Sequence, residues 1–240
     1  MDIGANNMRL IIVRHGDPDY ENDCLTELGH YQAELVAKRL LDEGIQEIYS
    51  SPQGRAKETA EHFAALSGLG PIKILDFMHE IRYGWEGALY QAGNPWLEAK
   101  NLISKGADLQ TPDWRKYPCY DGNTATIDAD KVAAGTDEWL KTLGYEREGL
   151  YYRCKTEDDR KRTFALFCHG GSMTSFLSRV FNIPFPHLCM VLGFIQCTSI
   201  TVLRLDRTPG ELYMPFLEVA ADASHLNVKT ADIEQKAPIK

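Results

Sequence analysis

Short apolar runs alternate with longer amphipathic stretches in the first part of the chain. Residues 8–13 (MRLIIV) form a short pattern, apolar except for Arg9, that is typical of a buried strand. Thr26 then precedes a stretch whose apolar residues fall on one helical face, and Gly44 closes that stretch. Residues 45–50 (IQEIYS) predict a second strand. This order of strand, helix and strand predicts the start of a β-α-β unit.

The same alternation continues along the chain. At Ser51-Pro52, serine can cap a helix and proline can occupy its first position, so we predict a second helix that ends at Ser67-Gly68. Residues 72–75 (IKIL) predict a third strand. Strands that alternate with helices favour a mainly parallel sheet with helices on both faces. The predicted fold class is therefore α/β, a three-layer sandwich around a mainly parallel central sheet.

The later part of the chain predicts further elements of the same kind. We expect helices at residues 132–143 and 173–181 and strands at residues 162–168, 199–205 and 212–219. A Thr-Pro-Gly turn separates the last two strands, which indicates that the sheet also has antiparallel members.

The alternation stops between about residues 84 and 125, where glycine, proline and aromatic residues are mixed. We predict a single domain over residues 1–240, with an inserted cap region at 84–125. Two roles remain open for the insertion: contact with the organic part of a ligand, or a small aromatic core with solvated lysines. The residues concerned are Trp96, Lys100, Lys105, Trp114, Arg115, Lys116, Tyr117 and Tyr120.

Composition and charge narrow the class of protein. The 240 residues are 44% apolar and carry a formal net charge of -8, so no basic field would attract nucleic acid or an anionic membrane. The amino-terminal residues are polar and no apolar run is long enough to span a bilayer, so we expect a cytoplasmic protein. A homodimer is one possible oligomeric state.

Motifs for common cofactors are absent from the sequence. The six cysteines include no C-x-x-C pair, and no H-E-x-x-H, G-x-x-x-x-G-K-[ST] or G-x-G-x-x-G motif occurs. We therefore predict no metal and no other cofactor, and we interpret the cysteines as reduced packing residues.

Two predicted strands end in histidine followed by glycine. Arg14 and His15 follow the first strand, and His169-Gly170 follows the strand at 162–168. Because the carboxyl ends of parallel strands meet in one crevice, the two histidines are expected to face each other. Arg55 lies in the first turn of the second helix, where the helix N-terminus and a guanidinium group both favour an anion. These groups together predict a site for a phosphoryl group.

The order and spacing of these motifs resemble the histidine phosphatase superfamily, in its phosphoglycerate-mutase-like branch. The resemblance rests on Arg14-His15-Gly16, on Ser51-Pro52-x-x-Arg55-Ala56-x-x-Thr59-Ala60, on Glu80, on His169-Gly170 and on Asp23, Leu25, Thr26 and Gly29. Motif-bearing segments cover about residues 8–90 and 162–206. The resemblance implies that His15 is a nucleophile that becomes phosphorylated, and that no metal takes part.

The resemblance also implies roles for the other site residues. Arg14, Arg55 and His169 would be catalytic groups that hold the transferred phosphoryl oxygens, and Gly16 and Gly170 would bind the same phosphate. Glu80 would be the general acid, with Glu86 in W-E-G as the competing candidate. Cations beside His15 disfavour its protonated form, which suits a nucleophile.

The implied activity is that of a histidine acid-type phosphatase, which hydrolyses a small phosphorylated metabolite. Two alternatives remain: a phosphoglycerate-mutase-type phosphoryl transferase, and a non-catalytic phosphate-binding regulatory domain. Four acidic residues follow the first motif and would repel a second phosphate or a carboxylate, which favours the phosphatase: Asp17, Asp19, Glu21 and Asp23.

Overall fold

The computed structural model describes residues 8–87, 89, 92–156, 162–205 and 208–226. The strands are β1 (Met8–Arg14), β2 (Pro18–Asp19), β3 (Cys24–Leu25), β4 (Glu47–Ser50), β5 (Lys73–Ile74), β6 (Tyr145–Glu148), β7 (Tyr151–Cys154), β8 (Arg162–Cys168), β9 (Ile200–Leu205), β10 (Leu212–Tyr213) and β11 (Phe216–Asp222). The helices are α1 (Glu27–Leu40), α2 (Gly54–Ser67), α3 (Pro95–Ser104), α4 (Thr124–Thr142), α5 (Gly170–Phe181) and α6 (Phe185–Leu192). Short 3-10 helices occupy Leu41–Glu43, Asp76–Met78, Pro112–Lys116 and Ser224–Leu226.

A six-stranded sheet forms the centre of the fold, in the order β11-β9-β1-β8-β4-β5. The pairs β1 with β8, β8 with β4 and β4 with β5 are parallel, whereas β9 is antiparallel to both β1 and β11. The predicted antiparallel members therefore lie at one edge of the sheet, and the predicted mainly parallel α/β sheet is confirmed.

Helices cover both faces of this sheet. In β1, Leu10 and Ile12 point into one buried cluster while Ile11 and Val13 point into another, as the two-residue period of a strand requires. Side chains of α1 and α2 complete the second cluster, and those of α4 and α5 complete the first. This double burial explains why residues 10–13 of β1 are all apolar and do not alternate with polar residues.

Several helix boundaries differ from the sequence prediction. The prediction that Pro52 opens α2 is wrong, because the helix begins at Gly54 with Gln53 as its N-cap residue. Helix α4 begins at Thr124, where the Asn123 side chain accepts the N–H of Ala125, so it starts well before the predicted residue 132. The early turns of α4 contain threonine and aspartate, which are weak helix formers, and the sequence pattern did not reveal them.

The region at 84–125 contains α3, the 3-10 helix Pro112–Lys116 and the start of α4. Trp114 and Tyr120 are buried there and form an edge-to-face pair with ring centroids 5.3 Å apart. Trp96 stacks on Phe194, while Arg115 and Lys116 pair with Asp130 and Asp113. These contacts are those of the aromatic-core alternative; the role of the region as a cap stays a prediction.

Sequence patterns did not predict α3, α6 or the hairpin of β6 and β7. Among the described residues, no helix is both long and apolar enough to cross a bilayer.

Candidate active site

The register of the central strands brings three polar residues to one edge of the sheet. Arg14 of β1 is paired with Cys168 of β8, so the next residues, His15 and His169, lie side by side. Their ring centroids are 5.1 Å apart, and both side chains are fully buried. Ser51, which follows β4, reaches the same edge and donates its backbone N–H to Phe167 of β8. The predicted meeting of the two histidines therefore follows directly from strand pairing.

The hydrogen bond of His15 determines which ring nitrogen is available for chemistry. Nδ1 lies 2.6 Å from the carbonyl oxygen of Gly16. A carbonyl oxygen can only accept, so Nδ1 carries the proton and the neutral ring has its lone pair on Nε2. This Nε2 is buried and has no hydrogen-bond partner among the described residues. A buried nitrogen with a free lone pair is the arrangement expected of a nucleophile.

His169 is oriented by Ser51. Its Nε2 lies 2.7 Å from the Ser51 Oγ, which also accepts the N–H of Gln53. When the Ser51 hydroxyl donates its hydrogen bond to Nε2 of His169, the proton of the neutral ring is on Nδ1. Nδ1 is buried without a partner among the described residues, so it can donate to an oxygen of a bound anion.

Two guanidinium groups lie beside the histidines. Arg14 lies at the end of β1, and an N–H of one of its terminal nitrogens donates a hydrogen bond to the carbonyl of Ile195. Arg55 lies in the first turn of α2 and forms an ion pair with Asp23. In both arginines the buried Nε has no hydrogen-bond partner within the described part of the chain. Each side chain is thus fixed through one nitrogen and retains donors of the planar fork for phosphate oxygens.

The carboxyl group of Glu80 accepts hydrogen bonds from the N-terminus of α5. Its Oε1 accepts the N–H groups of Ile81 at 2.9 Å, Gly171 at 2.9 Å and Ser172 at 3.2 Å. A Cβ on Gly171 would lie 2.6 Å from this Oε1, so only glycine allows the approach. One carboxylate oxygen is occupied by these three bonds, and the other remains for proton transfer.

The buried position of these groups shifts their protonation. Desolvation lowers the pKa of His15 well below its usual value, and the charge of Arg14 lowers it further. Desolvation and then the neighbouring His15 lower the pKa of His169 in the same direction. Desolvation raises the pKa of Glu80, although the N–H of Ile81 and the charge of Arg14 act against this shift. Burial therefore disfavours the charged form of each of these three groups.

Of the two predicted glycines, Gly16 permits a close backbone approach and Gly170 does not. A Cβ on Gly16 would lie 2.6 Å from the backbone oxygen of Gly29, whereas the nearest neighbour of a Cβ on Gly170 would be the Nε of Arg14 at 3.8 Å. The N–H of Gly16 donates to the Thr59 Oγ1 at 3.0 Å. Gly16 therefore holds the loop after β1 against α1 and α2, and Gly170 begins α5 next to Arg14.

Ligand atoms of His15, Glu80 and His169 all lie within 4.8 Å of one another, which is also a spacing that could hold a metal ion. Arg14 and Arg55 are close enough to lower the pKa of both histidines. Their positive charges would repel a divalent cation at the same point and attract an anion. The electrostatics therefore favour phosphate at this position.

The sequence reasoning did not identify three contributors to the site. Sequence alone indicated Ser51 as a helix cap and Asp23 as a repulsive charge, both within motifs of the resemblance, and it assigned no contact to the N–H groups of Gly171 and Ser172. The structure shows instead that Ser51 orients His169, Asp23 pairs with Arg55 and the two N–H groups bind Glu80. No local pattern reports such contacts, because the partners are far apart in sequence.

Asp23 should orient Arg55, and this gives a first test. Its carboxylate accepts both a donor of Arg55 and the N–H of Gly54 at 2.8 Å. We expect Asp23→Asn to reduce kcat/KM for a phosphate monoester about tenfold, the order expected when a charge-assisted hydrogen bond is weakened. Glu21→Gln, which removes the same charge from an exposed neighbour, should change kcat/KM little. Equal losses in the two variants would show that only the general charge matters.

Comparison with known proteins supports a common family. Residues 10–118 match the family model described as the histidine phosphatase superfamily, branch 1. A "probable phosphoglycerate mutase GpmB" of Photorhabdus laumondii is 36% identical over 95% of this chain and 100% of its own length. A "probable phosphatase" of Schizosaccharomyces pombe is 33% identical over 68% of this chain and 69% of its own length.

Solved structures share the fold. A mycobacterial glucosyl-3-phosphoglycerate phosphatase superposes with a TM-score of 0.64 at 23% identity, over 90% of this chain and all of that one. A phosphoserine phosphatase of Entamoeba histolytica superposes with a TM-score of 0.60 at 18% identity, over 91% of this chain and 99% of that one.

Proposed function

Because the chain belongs to the histidine phosphatase superfamily, we propose that it is a metal-independent phosphomonoester hydrolase with a phosphohistidine intermediate. Its substrate would be a small phosphorylated metabolite. One observation carries the proposal: the Nδ1–H of His15 is held by the Gly16 carbonyl, while its Nε2 lies buried and unpartnered beside two guanidinium groups. This arrangement leaves a neutral imidazole with a free lone pair next to a place for a phosphoryl group.

In the first step, Nε2 of His15 attacks phosphorus and the bond from phosphorus to the substrate oxygen breaks. Arg14, Arg55 and the Nδ1–H of His169 stabilise the equatorial phosphoryl oxygens, on which negative charge is concentrated. Glu80 gives its proton to the leaving oxygen, so the organic product departs as an alcohol. The raised pKa of Glu80 favours the protonated form that this step needs.

In the second step, water attacks the phosphorus of phosphohistidine. The Glu80 carboxylate takes one proton from this water, the bond from phosphorus to Nε2 breaks, and inorganic phosphate is released. His15 returns to its neutral form with Nδ1 still protonated. Each residue thus ends the cycle in the state in which it began.

A phosphoryl mutase is the second candidate, and the name of the relative in Photorhabdus laumondii favours it. A mutase would pass the phosphoryl group to another hydroxyl and would need a cation to hold the substrate's remaining anionic group. Arg82, Arg115 and Lys116 lie in or next to the 84–125 region, and each is paired with an aspartate. Lys100 and Lys105 of the same region have no such ion pair among the described residues, so support for the hydrolase over the mutase comes mainly from the negative charges of Asp17, Asp19 and Glu21.

The deciding experiment measures product distribution and the intermediate together. The wild-type protein would be incubated with 4-nitrophenyl phosphate and, separately, with 3-phosphoglycerate, each in the presence of a metal chelator. We expect free phosphate from the aryl ester, little 2-phosphoglycerate, and an acid-labile phosphoenzyme on rapid quenching. Rapid isomerisation of phosphoglycerate with little free phosphate would establish the mutase. Phosphate binding without either product would establish a regulatory domain.

A further inference from the structure

We propose that His30 and His62 form a surface site for a divalent transition-metal ion, with Zn²⁺ as the reference ion. His30 lies in α1 and His62 lies in α2, and the two helices pack against each other. Nδ1 of His30 is 3.0 Å from Nε2 of His62, and the ring centroids are 5.3 Å apart. The function proposed above uses neither residue, so the site is independent of it.

The 3.0 Å between the two nitrogens is the distance of an N–H···N hydrogen bond, and it also suits a shared metal ion. Two imidazole nitrogens bound to one ion at about 2.1 Å each lie roughly 3.0–3.4 Å apart, depending on the angle at the metal. His30 is exposed and His62 is half-buried, so small ring rotations can point both lone pairs at one ion. Water molecules would complete the coordination shell on the solvent side. Imidazole ligands select zinc, nickel or copper over magnesium and calcium.

The carboxylate of Glu58 lies near the second ring nitrogen of His30. Oε2 of Glu58 lies 4.0 Å from Nε2 of His30, the ring nitrogen that faces away from His62. The same oxygen accepts the N–H of Leu25 at 2.7 Å, which fixes the position of Glu58. Histidines that bind metals usually direct their second nitrogen to an acceptor, which sets the tautomer and raises the basicity of the ligand. At 4.0 Å Glu58 does not hydrogen-bond His30 in this structure, so it would become a positioning residue only after a small rotation of the His30 ring.

The charges around His30 and His62 also differ from those around the candidate active site. Arg14 and Arg55 lie beside His15 and His169 and disfavour a cation there, whereas the carboxylate of Glu58 lies 4.0 Å from the His30 ring. A bound ion would join α1 to α2 at a point two helical turns beyond Arg55. It should therefore stabilise the folded chain without taking part in phosphoryl transfer.

The test is a calorimetric titration of the full-length, metal-free protein with ZnCl₂. Every sample carries His15→Ala, which removes one ligand of the catalytic trio and limits metal binding there. We expect one ion per chain, a higher melting temperature with Zn²⁺, and loss of both effects in His62→Gln. Glu58→Gln should weaken binding about tenfold, as removal of a supporting carboxylate usually does. His187→Gln, a histidine on α6 away from this pair, is the matched control.

Each outcome decides the proposal. Circular dichroism without metal establishes that the variants are folded, and His30→Gln replaces His62→Gln if the latter is not. Loss of zinc binding in the folded His30 or His62 variant, with normal binding in the His187 variant, supports the site. Retention of binding in His30→Gln and His62→Gln, or no heat and no thermal shift in the parent protein, overturns it. Because activity is not the readout, failure of the proposed phosphatase would leave this result unaffected.

Discussion

Replacing His15 with alanine should reduce phosphate release from 4-nitrophenyl phosphate by a factor on the order of 10⁴ or more, the scale of loss when a covalent nucleophile is deleted. Nε2 of His15 is the atom that the structure leaves buried and unpartnered at the centre of the site. Neither His169, which is held by Ser51, nor Glu80, which is held by the start of α5, can replace it at that position. The measurement is kcat under saturating substrate, together with trapping of the phosphoenzyme.

The alanine variant needs a control for folding and for non-specific histidine effects. His187→Gln changes a histidine outside the site and should retain wild-type kcat and the trapped phosphoenzyme. Binding of inorganic phosphate by His15→Ala should persist, because Arg14, Arg55 and His169 remain. If His15→Ala still released phosphate at more than a tenth of the wild-type rate, another nucleophile would have to be sought.

Replacing Glu80 with glutamine should reduce hydrolysis of an alkyl phosphate about 10²–10⁴-fold, the usual contribution of a general acid. The amide oxygen of glutamine can still accept the N–H groups of Gly171 and Ser172, so the local structure should survive. The amide cannot supply the proton that an alkoxide leaving group requires. The loss should be much smaller with 4-nitrophenyl phosphate, because nitrophenolate leaves without a proton.

The pH dependence of the same variant tests the direction of the pKa shift. Burial raises the pKa of Glu80, so the protonated acid persists to higher pH than in an exposed glutamate. In the wild type, kcat/KM for the alkyl phosphate should fall as the pH rises through this raised pKa, and Glu80→Gln should lack that fall. Burial lowers the pKa of His15, so its neutral form should persist below the usual histidine range and the acidic decline should come at low pH.

Glu86 provides the matched control for Glu80. It is exposed in the loop that follows Ile81, six positions beyond Glu80, and it was the competing candidate for the acid. Glu86→Gln should leave both kcat and the pH profile close to those of the wild type. If Glu86→Gln abolished turnover while Glu80→Gln remained active with alkyl phosphates, the assignment of the acid would be wrong.

Local patterns were sufficient for the elements of the sheet centre. Residues 10–13 and 164–168 are apolar because both faces of β1 and β8 are buried there, and sequence alone located the two strands to within a residue. Arg14-His15 and His169-Gly170 follow these strands directly, and their meeting follows from the rule that parallel strands share a carboxyl edge. The same patterns did not predict elements with weak periodicity or short length, such as α3 and the hairpin of β6 and β7.

The sequence by itself therefore determined the α/β class, the place of the candidate site and the residue types that we propose to bind an anion there. Only the tertiary structure decided which nitrogen of His15 is free, that Ser51 orients His169, and that Asp23 and the start of α5 hold Arg55 and Glu80. The physical reason is the separation along the chain between the residues that determine each property. Apolar periodicity is a property of neighbouring residues, whereas hydrogen-bond partners and desolvation depend on segments that folding brings together from distant parts of the chain.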